Sequence, residues 1–147
     1  MFKVLLIGVA MVLLMTAIHA VFMLGALAFI PAHAGAKPMS QGRRVRAAAA
    51  TVLWMVGASF VEMGAWAALF MQLGAFEQLE PSLYFSSVTY TSLGYGDIVL
   101  ESPLRILGSV EALTGVIMAG WSTALVITVL QRSAARAEAS TEDANDK

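Results

Sequence analysis

Residues 91–97 carry the groups of this chain that are best suited to chemistry. They read Thr-Ser-Leu-Gly-Tyr-Gly-Asp and lie between two apolar runs that are each long enough to cross a bilayer. Gly94 and Gly96 permit backbone conformations that a Cβ atom forbids, so successive carbonyl oxygens can turn to one side and bind a cation. A glycine turn beside a membrane helix is the alternative interpretation of Gly-Tyr-Gly taken alone.

The segment resembles the Thr-Thr-Val-Gly-Tyr-Gly-Asp signature of potassium channels, with Ser92 in place of the second threonine and Leu93 in place of the valine. The resemblance extends over about residues 47–130, a segment that is similar to small bacterial channels of the two-helix pore superfamily. Residues 1–30 are an addition to that unit. The resemblance implies that about eight oxygens hold a dehydrated potassium ion, supplied by stacked carbonyl rings from a homotetramer.

Two sets of residues follow from this mapping. The ion-binding oxygens are the backbone carbonyls of Ser92, Leu93, Gly94 and Tyr95, with the Ser92 hydroxyl as the innermost ring. The residues expected to support the filter are Thr91, Gly96, Asp97, Tyr84 and Glu111. The potassium ion is the transported substrate, and no cofactor is expected.

The composition is that of an integral membrane protein. Of the 147 residues, 59% are hydrophobic and 13% are charged, which is too apolar for an ordinary soluble domain. The net charge of -1 does not indicate nucleic-acid binding, and the lack of cysteine excludes disulfides and thiol chemistry. An enzyme is not expected, because neither His19 nor His33 has a nearby nucleophile or metal-ligand spacing. The predicted partners are potassium ions, membrane lipid and further copies of the chain.

Three apolar runs are each long enough to span a bilayer, which takes about 20 residues. They predict an N-terminal transmembrane helix at residues 1–30, an outer helix at 47–73 and an inner helix at 104–130. A signal peptide cleaved after Ala32-His33-Ala34 competes with the first of these. The apolar stretch exceeds the roughly 7–15 residues of a signal core, which favours the transmembrane helix.

A shorter helix is predicted at residues 82–91, with Pro81 at its first position. About ten residues cover roughly 15 Å, half of the hydrocarbon thickness, so this pore helix is expected to enter the membrane and return through the filter at 91–97. The partial negative charge at its C-terminal end favours a cation. The fold class is therefore an all-α membrane protein with three transmembrane helices, a re-entrant pore helix and a filter loop.

Charge predicts which side of the membrane each connection faces. Residues 31–46 hold four of the nine lysine and arginine residues and are predicted to be a cytoplasmic loop. Residues 131–147 are predicted to be a cytoplasmic tail, a frayed helix followed by disorder. Acidic residues around the filter then face outward, where they concentrate cations. The expected location is the cell membrane, specifically a bacterial inner membrane.

Two positions behind the filter depart from the potassium-channel pattern. The family often has two adjacent pore-helix tryptophans, where this chain has Tyr84 and Phe85. Tyr84 can still donate a hydrogen bond toward Asp97, whereas Phe85 cannot donate to the Tyr95 hydroxyl. The acidic residue that some members place behind the filter corresponds to Val88.

Three ionisable residues inside the apolar runs need partners within the protein. Glu62 is expected either to pack as a protonated or hydrogen-bonded residue or to support the pore helix. Glu111 is expected to pair with a hydroxyl of residues 89–91, or to pack as a neutral acid. His19 is expected to form an interhelical hydrogen bond rather than to sense protons.

Two glycines of the inner helix, Gly115 and Gly120, are candidate hinges. Gly115 follows Gly96 at close to the hinge spacing that the resemblance implies, and a packing glycine is the alternative. The predicted function is a passive potassium-selective channel. A weakly selective cation channel is one alternative, because Ser92 and Leu93 depart from the signature. A non-conducting membrane scaffold, whose filter-like loop only stabilises assembly, is the other.

Overall fold

The computed structural model describes residues 1–29 and 40–145, with side chains at 1–28 and 40–131. These residues form four α-helices, α1 (Phe2–Phe29), α2 (Gln41–Gln72), α3 (Leu79–Tyr90) and α4 (Arg105–Asn145). Three segments are long and apolar enough to cross a membrane, namely Phe2–Ala28, Gln41–Gln72 and Arg105–Gln131. The predicted all-helical membrane fold is confirmed for the described part of the chain.

α1 is apolar on every side, yet only one stripe of it is buried. The buried residues recur every three or four positions, which marks one face of a helix: Val4, Gly8, Met11, Met15, His19 and Ala26. This stripe packs against α2 and α4. The other faces remain exposed and suit contact with lipid.

The N-terminus of α1 lies at the end of the molecule that carries residues 91–97. A Cβ on Gly8 would contact Leu107, near the beginning of α4. Toward the other end of α1, the Trp54 indole donates a 2.8 Å hydrogen bond to the Phe22 carbonyl. α1 is therefore docked near both ends and runs antiparallel to α2.

α2 begins earlier than the sequence predicted. The outer helix was expected at residues 47–73, but it starts at Gln41, so Arg43, Arg44 and Arg46 are helical instead of part of the connecting loop. Arginine, glutamine and alanine are good helix formers, whereas hydropathy marks only the apolar part of a helix. The rest of the predicted basic loop, at residues 31–39, lies outside the described residues.

α2 ends in a left-handed turn that leads toward α3. Gly74 has a φ of +74°, its N–H donates to the Met71 carbonyl, and the Ala75 N–H donates to the Phe70 carbonyl. This pair of bonds caps the last carbonyls of the helix, and glycine takes the left-handed position without a Cβ penalty. The connection to α3 is thereby short and well defined.

α3 begins at Leu79, three residues before the predicted start. Pro81 is therefore in the first turn, where its missing N–H removes no hydrogen bond because the first four N–H groups have no partner within a helix. Its 12 residues cover about 18 Å, too short to cross a bilayer. The Ser82 hydroxyl donates a 2.8 Å bond to the Ala67 carbonyl of α2, which ties the two helices together.

α4 continues through Asn145, well beyond the predicted inner helix at 104–130. The expectation that residues 131–147 fray and become disordered is therefore wrong as far as Asn145. This stretch is rich in alanine, glutamate and arginine, which have high helix propensity, and it extends a helix that is already nucleated.

The short helix α3 is held within the larger of two buried clusters. That cluster combines Trp66 and Phe70 of α2 with Phe85 of α3 and Leu107 of α4. A smaller cluster at the other end contains Ala26, Met55, Ala58 and Leu125. Tyr90, the last residue of α3 before residues 91–97, belongs to the larger cluster as well.

Candidate functional site

The chain passes directly from α3 into residues 91–97, the filter segment. Along it, φ is positive at every second residue: +58° at Ser92, +58° at Gly94 and +76° at Gly96. This is the alternating handedness expected for the two glycines, which adopt it without steric cost. Ser92 was not expected to share it, and for a residue with a Cβ this conformation costs roughly 1–2 kcal/mol.

Three consecutive N–H groups hold the start of the filter segment against the end of α3. The Ser92 N–H donates to the Thr89 carbonyl at 2.9 Å. The Leu93 and Gly94 N–H groups both donate to the Val88 carbonyl, at 3.0 and 3.2 Å. In a trans peptide the C=O points opposite to the N–H of the same peptide unit. The carbonyl that precedes each of these N–H groups therefore points away from α3.

The carbonyls that point away from α3 belong to Thr91, Ser92 and Leu93, of which the last two are predicted ion-binding residues. Every residue of the filter segment is exposed in the single chain. The exposed fraction is 55% for Leu93 and 67% for Tyr95. Large side chains left open beside a row of free carbonyls are typical of a surface that other protein covers.

A side-chain hydrogen bond ties the outer end of the filter segment to α3. The Tyr84 hydroxyl donates to Asp97 Oδ2 at 2.7 Å, as the sequence predicted. This bond lowers the pKa of the Asp97 carboxyl below its ordinary value and raises the pKa of the Tyr84 hydroxyl. Both shifts favour a neutral tyrosine beside an ionised aspartate.

Aromatic packing replaces hydrogen-bond donors directly behind the filter. The Phe85 ring is buried, with its centroid 5.3 Å from that of Phe70 and 5.6 Å from that of Phe76. The half-buried Val88 supports the segment through its backbone carbonyl. The inner filter is therefore held by backbone bonds and apolar packing, without a side-chain donor from Phe85.

Glu62 of α2 contacts the pore helix through Tyr90. The Tyr90 hydroxyl donates to Glu62 Oε2, and His19 Nδ1 lies 2.9 Å from Glu62 Oε1. On the other side of the imidazole, Nε2 lies 3.4 Å from the Ser122 hydroxyl of α4. Glu62 and His19 are completely buried, and Tyr90 is 5% exposed. Of the two roles considered for Glu62, this geometry favours support of the pore helix, and His19 makes the predicted interhelical bond.

Glu111 is completely buried, but neither of its carboxyl oxygens has a hydrogen-bond partner among the described residues. The expected pairing with a hydroxyl of residues 89–91 is wrong, and the Tyr90 hydroxyl bonds to Glu62 instead. The Ser86 hydroxyl is likewise buried without a hydrogen-bond partner among the described residues. A carboxyl group without donors favours the alternative of a neutral acid packed beside α3.

Gly115 is the point where α4 crosses the end of α3. A Cβ on Gly115 would lie 1.9 Å from the Tyr90 carbonyl oxygen and 2.8 Å from its carbon, so only glycine permits this approach. A Cβ on Gly120 would meet no described atom within 4 Å. Gly115 is therefore a packing glycine, which was the alternative to a hinge. The hinge remains a prediction for Gly120.

Sequence reasoning did not identify Ser122, nor the pairing of His19 with Glu62. The available signal was the presence of ionisable residues in separate apolar runs, each of which needs a partner inside a membrane. Hydropathy does not reveal which of them meet, because that depends on the depth and rotation of each helix.

The model of a protein family described as ion channel matches residues 50–132, more than half of the chain. The match includes most of α2, all of α3, the filter segment and α4 as far as Arg132. α1 lies before the matched region. Comparisons with curated proteins and with solved structures gave no match.

Proposed function

Because the chain belongs to the ion channel family, we propose that it forms a potassium-selective channel in which the filters of four copies surround one ion path. Family membership makes the protein a channel rather than an enzyme. The three candidate membrane spans make it a multi-pass membrane protein. Potassium as the ion and the homotetramer are the parts that we propose.

The observation that carries the proposal is the orientation of the filter backbone. The N–H groups of Ser92, Leu93 and Gly94 donate to carbonyls of α3, so the carbonyls of residues 91–93 are free on the open side. Free backbone carbonyls are the ligands that replace the hydration shell of potassium in selective filters. Alternating positive φ at Gly94 and Gly96 supports the same arrangement in the rest of the segment.

Conduction through such a site needs no covalent chemistry. A potassium ion exchanges water for the oxygens of Ser92, Leu93, Gly94 and Tyr95, and repulsion from the next ion moves it onward. The C-terminal end of α3 adds a partial negative charge toward the ion path. Ionised Asp97 attracts cations to the outer mouth.

We also propose the orientation of the channel in the membrane. The filter mouth faces outward, and the arginine-rich beginning of α2 lies in the cytoplasm, as the positive-inside rule favours. The N-terminus of α1, which lies at the filter end, is then outside. The proposed location is the cell membrane, and the bacterial inner membrane in particular.

Purified protein in liposomes tests the proposed function directly. We expect a potassium flux that barium blocks, with a reversal potential close to the potassium equilibrium potential in mixed potassium and sodium. A reversal potential near zero would support the weakly selective cation channel, which the absence of a donor at Phe85 favours. The absence of any ion flux from folded, assembled protein would support the scaffold.

Replacing Tyr84 with phenylalanine is expected to shorten channel openings several-fold at low external potassium, because Asp97 loses its donor. The Tyr84–Asp97 bond is lost as pH falls through the lowered Asp97 pKa, below 3.8, or rises through the raised Tyr84 pKa, above 10.0. The difference from wild type should therefore stay constant from about pH 5 to about pH 9. Single-channel open times measure it, and a difference that disappears near pH 5 would contradict an ionised Asp97 across this range.

A further inference from the structure

α1 lies outside the matched region of the chain, yet it buries an ionisable side chain in the centre of the helix bundle. His19 is completely buried at mid-length of α1. The other polar side chain near it, Thr16, bonds to the Val12 carbonyl of its own helix. Among the described residues of α1, His19 is therefore the one whose side-chain bonds reach other helices.

His19 belongs to a chain of side-chain contacts that joins all four helices. Its Nδ1 lies 2.9 Å from one oxygen of Glu62 in α2, and the other Glu62 oxygen accepts the Tyr90 hydroxyl of α3. Its Nε2 lies 3.4 Å from the Ser122 hydroxyl of α4. Among the described residues each oxygen of Glu62 has one partner, so His19 limits how the carboxyl group can rotate.

Tyr90 is the residue through which this chain of contacts reaches the filter. It is the last residue of α3 and directly precedes the filter segment at 91–97. The side chain is held by Glu62, and the backbone carbonyl lies against Gly115 of α4. The two carbonyls that bind the filter N–H groups belong to Thr89 and Val88, the two residues that precede it. A shift of Tyr90 therefore moves the anchors of the filter.

We propose that His19 and Glu62 are positioning residues for the filter, with His19 orienting Glu62 and Glu62 holding the Tyr90 hydroxyl. α1 is then a functional part of the channel in addition to a membrane anchor. This inference rests on the proposed potassium-channel function and extends it beyond the two-helix unit.

Apolar contacts dock α1 at other positions of the buried stripe, so docking alone gives no reason for a polar side chain at His19. Met11 and Met15 bury their side chains on the same stripe, and the Trp54–Phe22 bond ties the far end. A leucine at position 19 would avoid the cost of burying a polar group in the membrane. The imidazole of His19 instead bonds Glu62 and fixes its orientation.

The test compares His19→Ala, Tyr90→Phe and the double variant with the wild-type channel in bilayers. We expect each single variant to lower the potassium-to-sodium permeability ratio by about tenfold, the equivalent of one lost hydrogen bond. The double variant should be no worse than the more severe single variant, because both act through Glu62. His19→Asn, which can keep a donor near the Nδ1 position, should restore most of the ratio. Thr16→Val, on the same helix but outside the network, should match wild type.

A wild-type permeability ratio in Tyr90→Phe, or additive losses in the double variant, would overturn the proposal. Tyr90→Phe keeps the aromatic ring and all apolar contacts, so it decides the matter even where His19→Ala does not assemble. A wild-type channel without potassium flux would instead refute the proposed function. In that case the melting temperatures of the wild type, the two single variants and the double variant test the network of contacts. Additive changes in melting temperature would overturn it, and non-additive changes would support it.

Discussion

Gly94→Ala is expected to abolish potassium-selective flux while leaving the helices and their assembly largely intact. Gly94 has a φ of +58°, and a Cβ at this position would meet no described atom within 4 Å. The damage therefore comes from the backbone conformation rather than from a clash with the packed helices. An alanine that relaxes to negative φ turns the Leu93 and Gly94 carbonyls out of line with their neighbours.

The size of the effect follows from the number of filters in the proposed channel. Holding a residue with a Cβ in the left-handed region costs roughly 1–2 kcal/mol. Four copies accumulate roughly 4–8 kcal/mol against the conducting arrangement, enough to depopulate it by orders of magnitude. Ser92 already bears one such cost in each copy, so the segment has little tolerance for a second.

Gly74→Ala is the matched control for this experiment. Gly74 has a φ of +74°, and a Cβ there also meets no described atom within 4 Å, but the residue lies in the turn after α2, away from the filter. We expect it to lower the melting temperature modestly and to keep the permeability ratio of wild type. Unchanged potassium-over-sodium preference in Gly94→Ala would contradict the assignment of residues 91–97 as the filter.

Gly115→Ala is expected to lower both the thermal stability and the potassium selectivity of the channel strongly. Its Cβ would lie 1.9 Å from the Tyr90 carbonyl oxygen, and ordinary contacts begin at 3.4 Å. The obstacle is backbone, which cannot rotate away as a flexible side chain does. Either α4 or the end of α3 must move by about 1.5 Å to restore an ordinary contact.

Overpacking of this kind costs about 1–3 kcal/mol or more per copy. Because Tyr90 directly precedes the filter, the displacement also moves the carbonyls of Val88 and Thr89 that anchor it. Thermal unfolding of the purified protein and reversal potentials in mixed potassium and sodium measure the two consequences separately. Wild-type values in both would contradict the close approach of α4 and α3.

Gly120→Ala provides the control on the same helix. A Cβ there meets no described atom within 4 Å, and replacing a helical glycine with alanine raises helix propensity by about 1 kcal/mol. We expect stability and selectivity at or above those of wild type. If Gly120 is the hinge, the variant should instead change the open probability alone, which separates bending of α4 from packing at Gly115.

The left-handed conformation of Gly94 and Gly96 and the number of candidate membrane spans could be predicted from the sequence, because both depend on local features. Within residues 91–97, the glycines at 94 and 96 predict the positions where φ is positive. The three spans follow from length and hydropathy, since a bilayer requires long apolar helices with internal hydrogen bonds. The Tyr84–Asp97 bond was predicted from the resemblance to potassium channels, in which Tyr84 takes the place of a pore-helix tryptophan.

Helix ends were predicted less well, because hydropathy identifies the apolar part of a helix that can lie in the membrane and does not identify its polar ends. α2 starts before its apolar part, at Gln41, and α4 continues through polar residues to Asn145. Both extensions consist of good helix formers that are too polar to appear as membrane spans.

Only the tertiary structure decided which buried polar groups meet. α1 is apolar on all sides, so its sequence does not indicate that His19 faces Glu62. The sequence also gave no reason to prefer Glu62 over Glu111 as the partner of Tyr90. The pairing depends on the rotation and depth of each helix, which the packing of many apolar side chains sets together. The same packing brings Gly115 against the Tyr90 carbonyl and leaves Glu111 without a donor. The sequence by itself thus determined the membrane class and the backbone conformation of Gly94 and Gly96, while the contacts of Tyr90 with Glu62 and Gly115 arose only when the four helices packed.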